Sequence, residues 1–171
     1  MLVDADQVAR ELQRPDGAGF QPIVERFGTG VVAADGELDR PAIAAIVFSD
    51  DAARNDLNII MWPLIGQAIN DRVAANAETD NVVLLDIPLL GASGNAYDVA
   101  GTIVVDCPIE IALDRLVNQR GMNADDAARR MAAQITREAR LALADFVIDN
   151  SGTPEDLEMA VGPCWDWVKA L

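Results

Sequence analysis

Two short apolar runs constrain this chain more than any other feature. Asn81–Ile87, NVVLLDI, and Gly101–Asp106, GTIVVD, are rich in β-branched residues, and each ends close to an Asp and a Pro. Continuous apolar runs of this length predict strands buried on both faces, as in a parallel sheet. Asp145–Asp149, DFVID, reads as a further short strand, with Asn150-Ser151-Gly152 as its exit loop. A last strand opens the chain, where Leu2-Val3 leads into Asp4-Ala5-Asp6. Helical patterns occupy residues 7–14, 22–27, 39–48, 50–76, 110–119, 123–143 and 154–171. Strands alternating with helices predict one three-layer α/β domain over residues 1–171, with a mostly parallel sheet. Residues 15–79 show helices and no convincing strand, so they read as a helical insertion. Pro63 is expected to break or kink the long helix, since proline removes a donor and crowds the preceding turn. Met61 and Trp62 read as core, Ile43, Ile46 and Val47 share one helix face, and Gly36 marks a turn.

Composition removes several kinds of chemistry. The chain has no histidine and two cysteines, Cys107 and Cys164, among 171 residues. Ser-His-Asp triads, His-ligated metals and a structural zinc site are therefore excluded, and no metal-binding residues are expected. The cysteines are too few for a disulfide framework and fit a reducing cytoplasm as buried thiols. A net charge of −15 argues against nucleic acid as a partner. No apolar run is long enough for a membrane span, and the N-terminus has no signal-peptide pattern. Catalysis must rest on carboxylates, arginines and backbone groups.

Four constellations carry such groups. Asp4 and Asp6 lie two apart, so in extended chain they point the same way. They read either as a base with a positioning group, or as a strand-exit turn whose Asp caps the next helix. Arg115, Arg120, Arg129, Arg130, Arg137 and Arg140 read either as clamps for phosphoryl oxygens or as helix-face partners of Asp125, Asp126 and Glu138. Asp86-Ile87-Pro88-Leu89-Leu90 follows a buried strand, where a terminal Asp often faces a ligand crevice. Asn150-Ser151-Gly152 can offer backbone and amide hydrogen bonds to a base or a phosphate.

Together these residues resemble the dephospho-CoA kinase family. The matching segments are VDADQVARE at 3–11, IVERFG at 23–28, DGELDR at 35–40, VFSDDAAR at 47–54, PLI at 63–65, DIPLL at 86–90, RGMNADDAARRMAAQ at 120–134 and ADFVIDNSG at 144–152. They keep the family's order over nearly the whole chain. The resemblance implies a P-loop kinase fold that moves the γ-phosphoryl of Mg-ATP to the ribose 3′-hydroxyl of dephospho-CoA, with ATP and Mg²⁺ as the expected co-substrate and ion. By position it implies Asp6 as the base or orienting group and Arg115 as the lid-side arginine on the transferring phosphate, within a lid-like helical region at 115–143. It places Asp4, Arg40, Pro63, Leu64, Ile87, Pro88 and Leu89 on the substrate side, with residues 15–79 as the CoA-binding insertion. It places Arg120, Arg140, Asn150, Ser151 and Gly152 on the nucleotide side.

The sequence also departs from the family. No G-x-x-x-x-G-K-[ST] occurs in these residues, and the one lysine is Lys169. The family's opening strand, glycine-rich loop and helix need roughly 25–30 residues. Their absence leads to the expectation of a chain shortened at its N-terminus, without the strand that lies centrally between those matching 82–87 and 102–106. Such a chain has open sheet edges through which copies can associate. Trp62 stands where the family usually has His, and Ala92 where it usually has Glu. The competing readings are a dephospho-CoA kinase, an inactive pseudokinase that binds dephospho-CoA or CoA, and an acidic α/β interaction protein.

Overall fold

The computed structural model describes residues 1–88, 97–132 and 134–171. The chain divides into two compact units, Met1–Pro88 and Leu89–Leu171.

The first unit runs β1 (Leu2–Asp4), α1 (Ala5–Leu12), α2 (Phe20–Phe27), a 3₁₀ turn at Thr29–Val31, α3 (Arg40–Ser49), α4 (Asp51–Ala74) and β2 (Leu84–Asp86). The strands β1 and β2 pair in parallel, with Leu2 opposite Leu84 and Asp4 opposite Asp86. Aspartates begin three of the helices. Asp4, Asp39 and Asp50 each accept backbone N–H groups of the first turn that follows, which would otherwise lack partners. Gly28 ends α2 at φ 82°, and Gly36 turns the chain at φ 86°, so that Val32 and Leu38 form an isolated bridge. Both angles are costly for residues with a Cβ.

Ile23, Val31, Leu38, Ile43 and Met61 form the core of this unit, with Ile46 and Val47 packed against it. The expected apolar face of α3 is therefore real. Trp62 departs from expectation: it is 38% exposed while Met61 is 4% exposed. Successive helical positions lie about 100° apart, so a buried residue 61 turns its neighbour outward. Nor does Pro63 break α4, which continues to Ala74. Packing of α4 against α1, α2 and α3 outweighs one missing backbone bond.

The second unit runs β3 (Ile103–Asp106), α5 (Ile109–Asp114), a π-helical turn at Arg115–Gln119, α6 (Ala124–Ala132), α7 (Arg137–Leu141), β4 (Phe146–Asp149) and α8 (Pro154–Val168). The strands β3 and β4 are parallel and in register from Ile103 opposite Phe146 to Asp106 opposite Asp149. A capping box between Thr153 and Asp156 starts α8. Phe146 meets Trp167 of that helix at 5.4 Å between ring centroids. Cys107 and Cys164 are free thiols, the first half-buried and the second buried.

Two expectations need correction in this α/β arrangement. The helix predicted over 123–143 is two helices, because the Thr136 hydroxyl accepts the Ala139 N–H at 3.1 Å and begins a new one. The strands are also not buried on both faces. In β2, Leu84 is 50% exposed and Asp86 lies open, while β3 buries Val104 and Asp106 but leaves Val105 54% exposed. Burial alternates along each strand, so one face covers the core and the other does not. The GASGN loop at 91–95, Leu89 and Ala92 lie outside the described residues. Among the described residues no helix is long and apolar enough to cross a membrane.

Candidate functional site

Both parallel strand pairs end on two aspartates in register, Asp4 with Asp86 and Asp106 with Asp149. Parallel α/β sheets place their ligands at this carboxyl end. The two pairs are used differently.

In the first unit, Asp4 Oδ1 accepts the N–H of Asp6 at 2.8 Å and of Gln7 at 3.0 Å. Asp4 is thus the cap of α1. Its Oδ1 serves the backbone of the first turn, and Asp6 stands exposed in that turn. The two carboxylates do not share one face of an extended strand, because the chain has already turned helical at Ala5. Arg40 is the first residue of α3 and is exposed, behind the cap made by Asp39 on the Ala42 N–H at 2.9 Å. Pro63 is exposed and Leu64 half-buried, midway along α4. Ile87 and Pro88 directly follow β2, the first half-buried and the second exposed. Leu89 lies outside the described residues.

In the second unit a cleft of about 500 Å³ is lined by Asp106, Arg137 and Asp149, with Leu141, Val147 and Ser151. Asp106 is 5% exposed. Its oxygens receive Arg137 Nε at 2.9 and 3.1 Å, Arg137 Nη2 at 2.6 Å and Arg140 Nη2 at 3.4 Å. Arg137, hydrogen-bonded to the charged form, holds the Asp106 carboxyl below its usual range; Arg140 adds to this and burial opposes it. The Asp149 carboxyl is also lowered, by the hydroxyl and the backbone N–H of Ser151. Arg115, in the π-helical turn, donates from Nη1 to Asn150 O at 2.6 Å and Asn150 Oδ1 at 3.1 Å, and from Nη2 to Gly152 O at 2.7 Å. Single π-turns often mark functional positions.

The arginine cluster therefore splits. Arg115 joins the Asn150–Gly152 turn, Arg137 and Arg140 join Asp106, and Arg129 pairs with Asp126 on its own helix. Arg120 makes no side-chain hydrogen bond or ion pair among the described residues. The pairing of Arg137 and Arg140 with Asp106, not with Glu138, escaped sequence reasoning because the partners lie more than thirty positions apart. The available signal was Asp106 itself, a strand-terminal carboxylate like Asp86.

The family model for dephospho-CoA kinase matches residues 1–156. The chain belongs to that family. A dephospho-CoA kinase from Streptomyces avermitilis is 48% identical over 167 residues, covering 96% of this chain and 80% of the relative. One from Mycobacterium tuberculosis is 43% identical over 166 residues, covering 97% of this chain and 40% of the relative. The chain thus spans most of the first relative and less than half of the second. Among solved structures, a Thermus thermophilus protein superposes with a TM-score of 0.75 at 27% identity, over 96% of this chain and 83% of that one. The dephospho-CoA kinase from Campylobacter jejuni shares the fold, with a TM-score of 0.73 at 23% identity. The fold is that of the dephospho-CoA kinases, a P-loop kinase-like α/β arrangement.

Proposed function

We propose that these residues carry the acceptor side and the lid side of ATP-dependent phosphorylation of dephospho-CoA at its ribose 3′-hydroxyl. The observation that carries this reading is the division of labour at the end of β1. Asp4 fixes the first turn of α1, and Asp6 is left exposed in it at the carboxyl end of a parallel pair.

Asp6 accepts the proton of the 3′-hydroxyl, or orients that hydroxyl, as the oxygen attacks the γ-phosphorus of ATP. Phosphoryl transfer depends mainly on positioning and charge stabilisation, so an aspartate and arginines fit the chemistry without histidine. Arg40, Pro63, Leu64, Ile87, Pro88 and Leu89 belong to the dephospho-CoA side, with Arg40 available for a phosphate of that substrate. Asn150, Ser151 and Gly152 receive the adenine of ATP, and Arg120 and Arg140 face its phosphates. Arg115 holds the adenine turn through three N–H groups, and a guanidinium has five. The remaining two are directed to the transferring phosphate. Mg²⁺ enters with ATP, and no step is assigned to a protein-held ion. Among the described residues no group of three or more Cys, Asp or Glu is arranged to hold a metal.

The test is formation of 3′-phosphorylated product from ATP and dephospho-CoA by the protein and its Asp6→Asn variant. The expected result is transfer by the wild type, reduced about 10²–10⁴-fold in the variant. Binding of dephospho-CoA without transfer would leave the pseudokinase reading in its place. Neither binding nor transfer would overturn both.

A further inference from the structure

We propose that Trp62 is a specificity-determining residue whose indole face stacks on the adenine ring of dephospho-CoA, while the backbone carbonyl of Ile59 accepts an N–H of that ring's amino group. This rests on the reading of the first unit as the acceptor side. Ile59, Trp62 and Pro63 stand three and four positions apart on α4, so they share one helix face. All three are exposed, Ile59 by 61% and Trp62 by 38%. Scattered apolar side chains on a surface are ordinary. An indole one turn from an exposed isoleucine instead forms a flat apolar ledge.

The backbone sets this ledge apart. Pro63 has no N–H, so the Ile59 carbonyl, four residues earlier, lacks its helical partner. That oxygen lies beside Trp62, because each carbonyl of an α-helix points toward the residues three and four positions ahead. Its partial negative charge complements the N–H of a ring amine. A flat ring without a donor would leave it unpaired, and a flexible chain would gain no stacking. Adenine meets both demands, with a π-face for the indole and an amino group for the carbonyl.

The ledge also sits on the element shared by the other acceptor-side residues. Helix α4 packs against α1, which carries Asp6, and against α3, which carries Arg40. Trp62 lies midway along α4, next to Pro63 and Leu64. The family usually has His at this position, so the stacking face belongs to this chain's own sequence.

The experiment is calorimetric binding of dephospho-CoA to the wild type, Trp62→Phe, Trp62→Leu and Pro63→Ala, with thermal melts of each. The same titrations use the ethenoadenine derivative of dephospho-CoA, which keeps a flat ring and loses the amino N–H groups. Both Trp62 substitutions fall at an exposed position and leave the buried Met61 in place. Dephospho-CoA affinity should fall about tenfold in Trp62→Leu and less than about threefold in Trp62→Phe, which keeps a flat ring. The wild type should prefer dephospho-CoA to the etheno derivative by about fivefold. Pro63→Ala supplies an N–H to the Ile59 carbonyl, so this variant should melt higher and lose that preference. A merely structural role of Pro63 would not join greater stability to a lost ligand preference.

Wild-type affinity in Trp62→Leu would mean that the indole meets no ring, and equal losses in Trp62→Phe and Trp62→Leu would mean that nothing stacks; either overturns the proposal. A preference for the amino ring that is absent from the wild type, or kept in Pro63→Ala, overturns it as well. In each of these outcomes the wild type still binds dephospho-CoA, so the acceptor reading stands. A wild type that does not bind dephospho-CoA would sink that reading and this inference with it.

Discussion

Arg115 holds Asn150 by two hydrogen bonds from one nitrogen, to the backbone carbonyl at 2.6 Å and to the side-chain oxygen at 3.1 Å. A third bond, to Gly152 O at 2.7 Å, closes the turn between them. Lysine has three donors but no planar fork, and it cannot reproduce this pattern. Arg115→Lys is therefore expected to loosen the turn. Affinity for adenosine should fall by about tenfold in titration calorimetry and that for ATP by more, since Arg115 also serves the transferring phosphate. A loss confined to ATP would instead assign Arg115 to phosphate alone.

The cap at the start of α1 can be weighed separately. Asp4→Ala removes the acceptor for the Asp6 and Gln7 N–H groups. The expected cost is about 1 kcal/mol, with Asp4→Asn much nearer to neutral, because asparagine caps as well as aspartate. Urea midpoints of the two variants check this. Equal losses would show that the charge of Asp4, and not its cap geometry, is what matters.

Ile23 is 0% exposed at the centre of the first unit. Ile23→Val should cost about 0.5–1.5 kcal/mol and Ile23→Ala about 2–5 kcal/mol, since the close-packed surroundings collapse only in part around the missing atoms. Chemical denaturation measures both. A loss near zero for alanine would mean that this cluster is looser than its burial indicates.

The lowered pKa of Asp106 gives stability a pH dependence of known sign. Arg137 first, and then Arg140, favour the charged carboxylate in the folded state. A folded value below the unfolded one, about 3.9 for Asp, adds stability that is present above that unfolded value. It is lost as pH falls through the folded value. The stability gap between wild type and Asp106→Asn should therefore be wide at neutral pH and narrow below about pH 4. Urea unfolding at a series of pH values reads it directly, and a gap independent of pH would contradict the charge assignment.

Elements were legible wherever local chemistry decides them. The strands around Val3, Leu85, Val104 and Val147 were visible as apolar runs, and Gly28 and Gly36 marked real turns. The family resemblance likewise followed from motifs that local sequence preserves. Burial was less legible, because a run such as NVVLLDI shows that a strand forms but not how many neighbours cover it. Of the break or kink expected at Pro63, the break does not occur for a related reason: propensity argues from the helix alone, and three other helices pack against α4. Within the site, the spacing of Asp4 and Asp6 left a cap and a base with its positioning group open together, and the backbone geometry shows the cap at Asp4. The grip of Arg137 and Arg140 on Asp106 was not legible, because nothing in local spacing joins a strand end to a helix thirty positions away.

That grip also works as a register pin. In a strand, side chains alternate between faces, so sliding β3 by one residue against β4 would turn Val104 outward and present either Val105 or Cys107 to the two guanidinium groups. Neither side chain can neutralise them, and Asp106 would lose both partners at once. Apolar patterning alone would resist such a slip weakly in a strand of four residues. The charge at its last position makes an out-of-step alignment electrostatically unfavourable, so one carboxylate at the strand end helps to select the correct pairing while the chain is still folding.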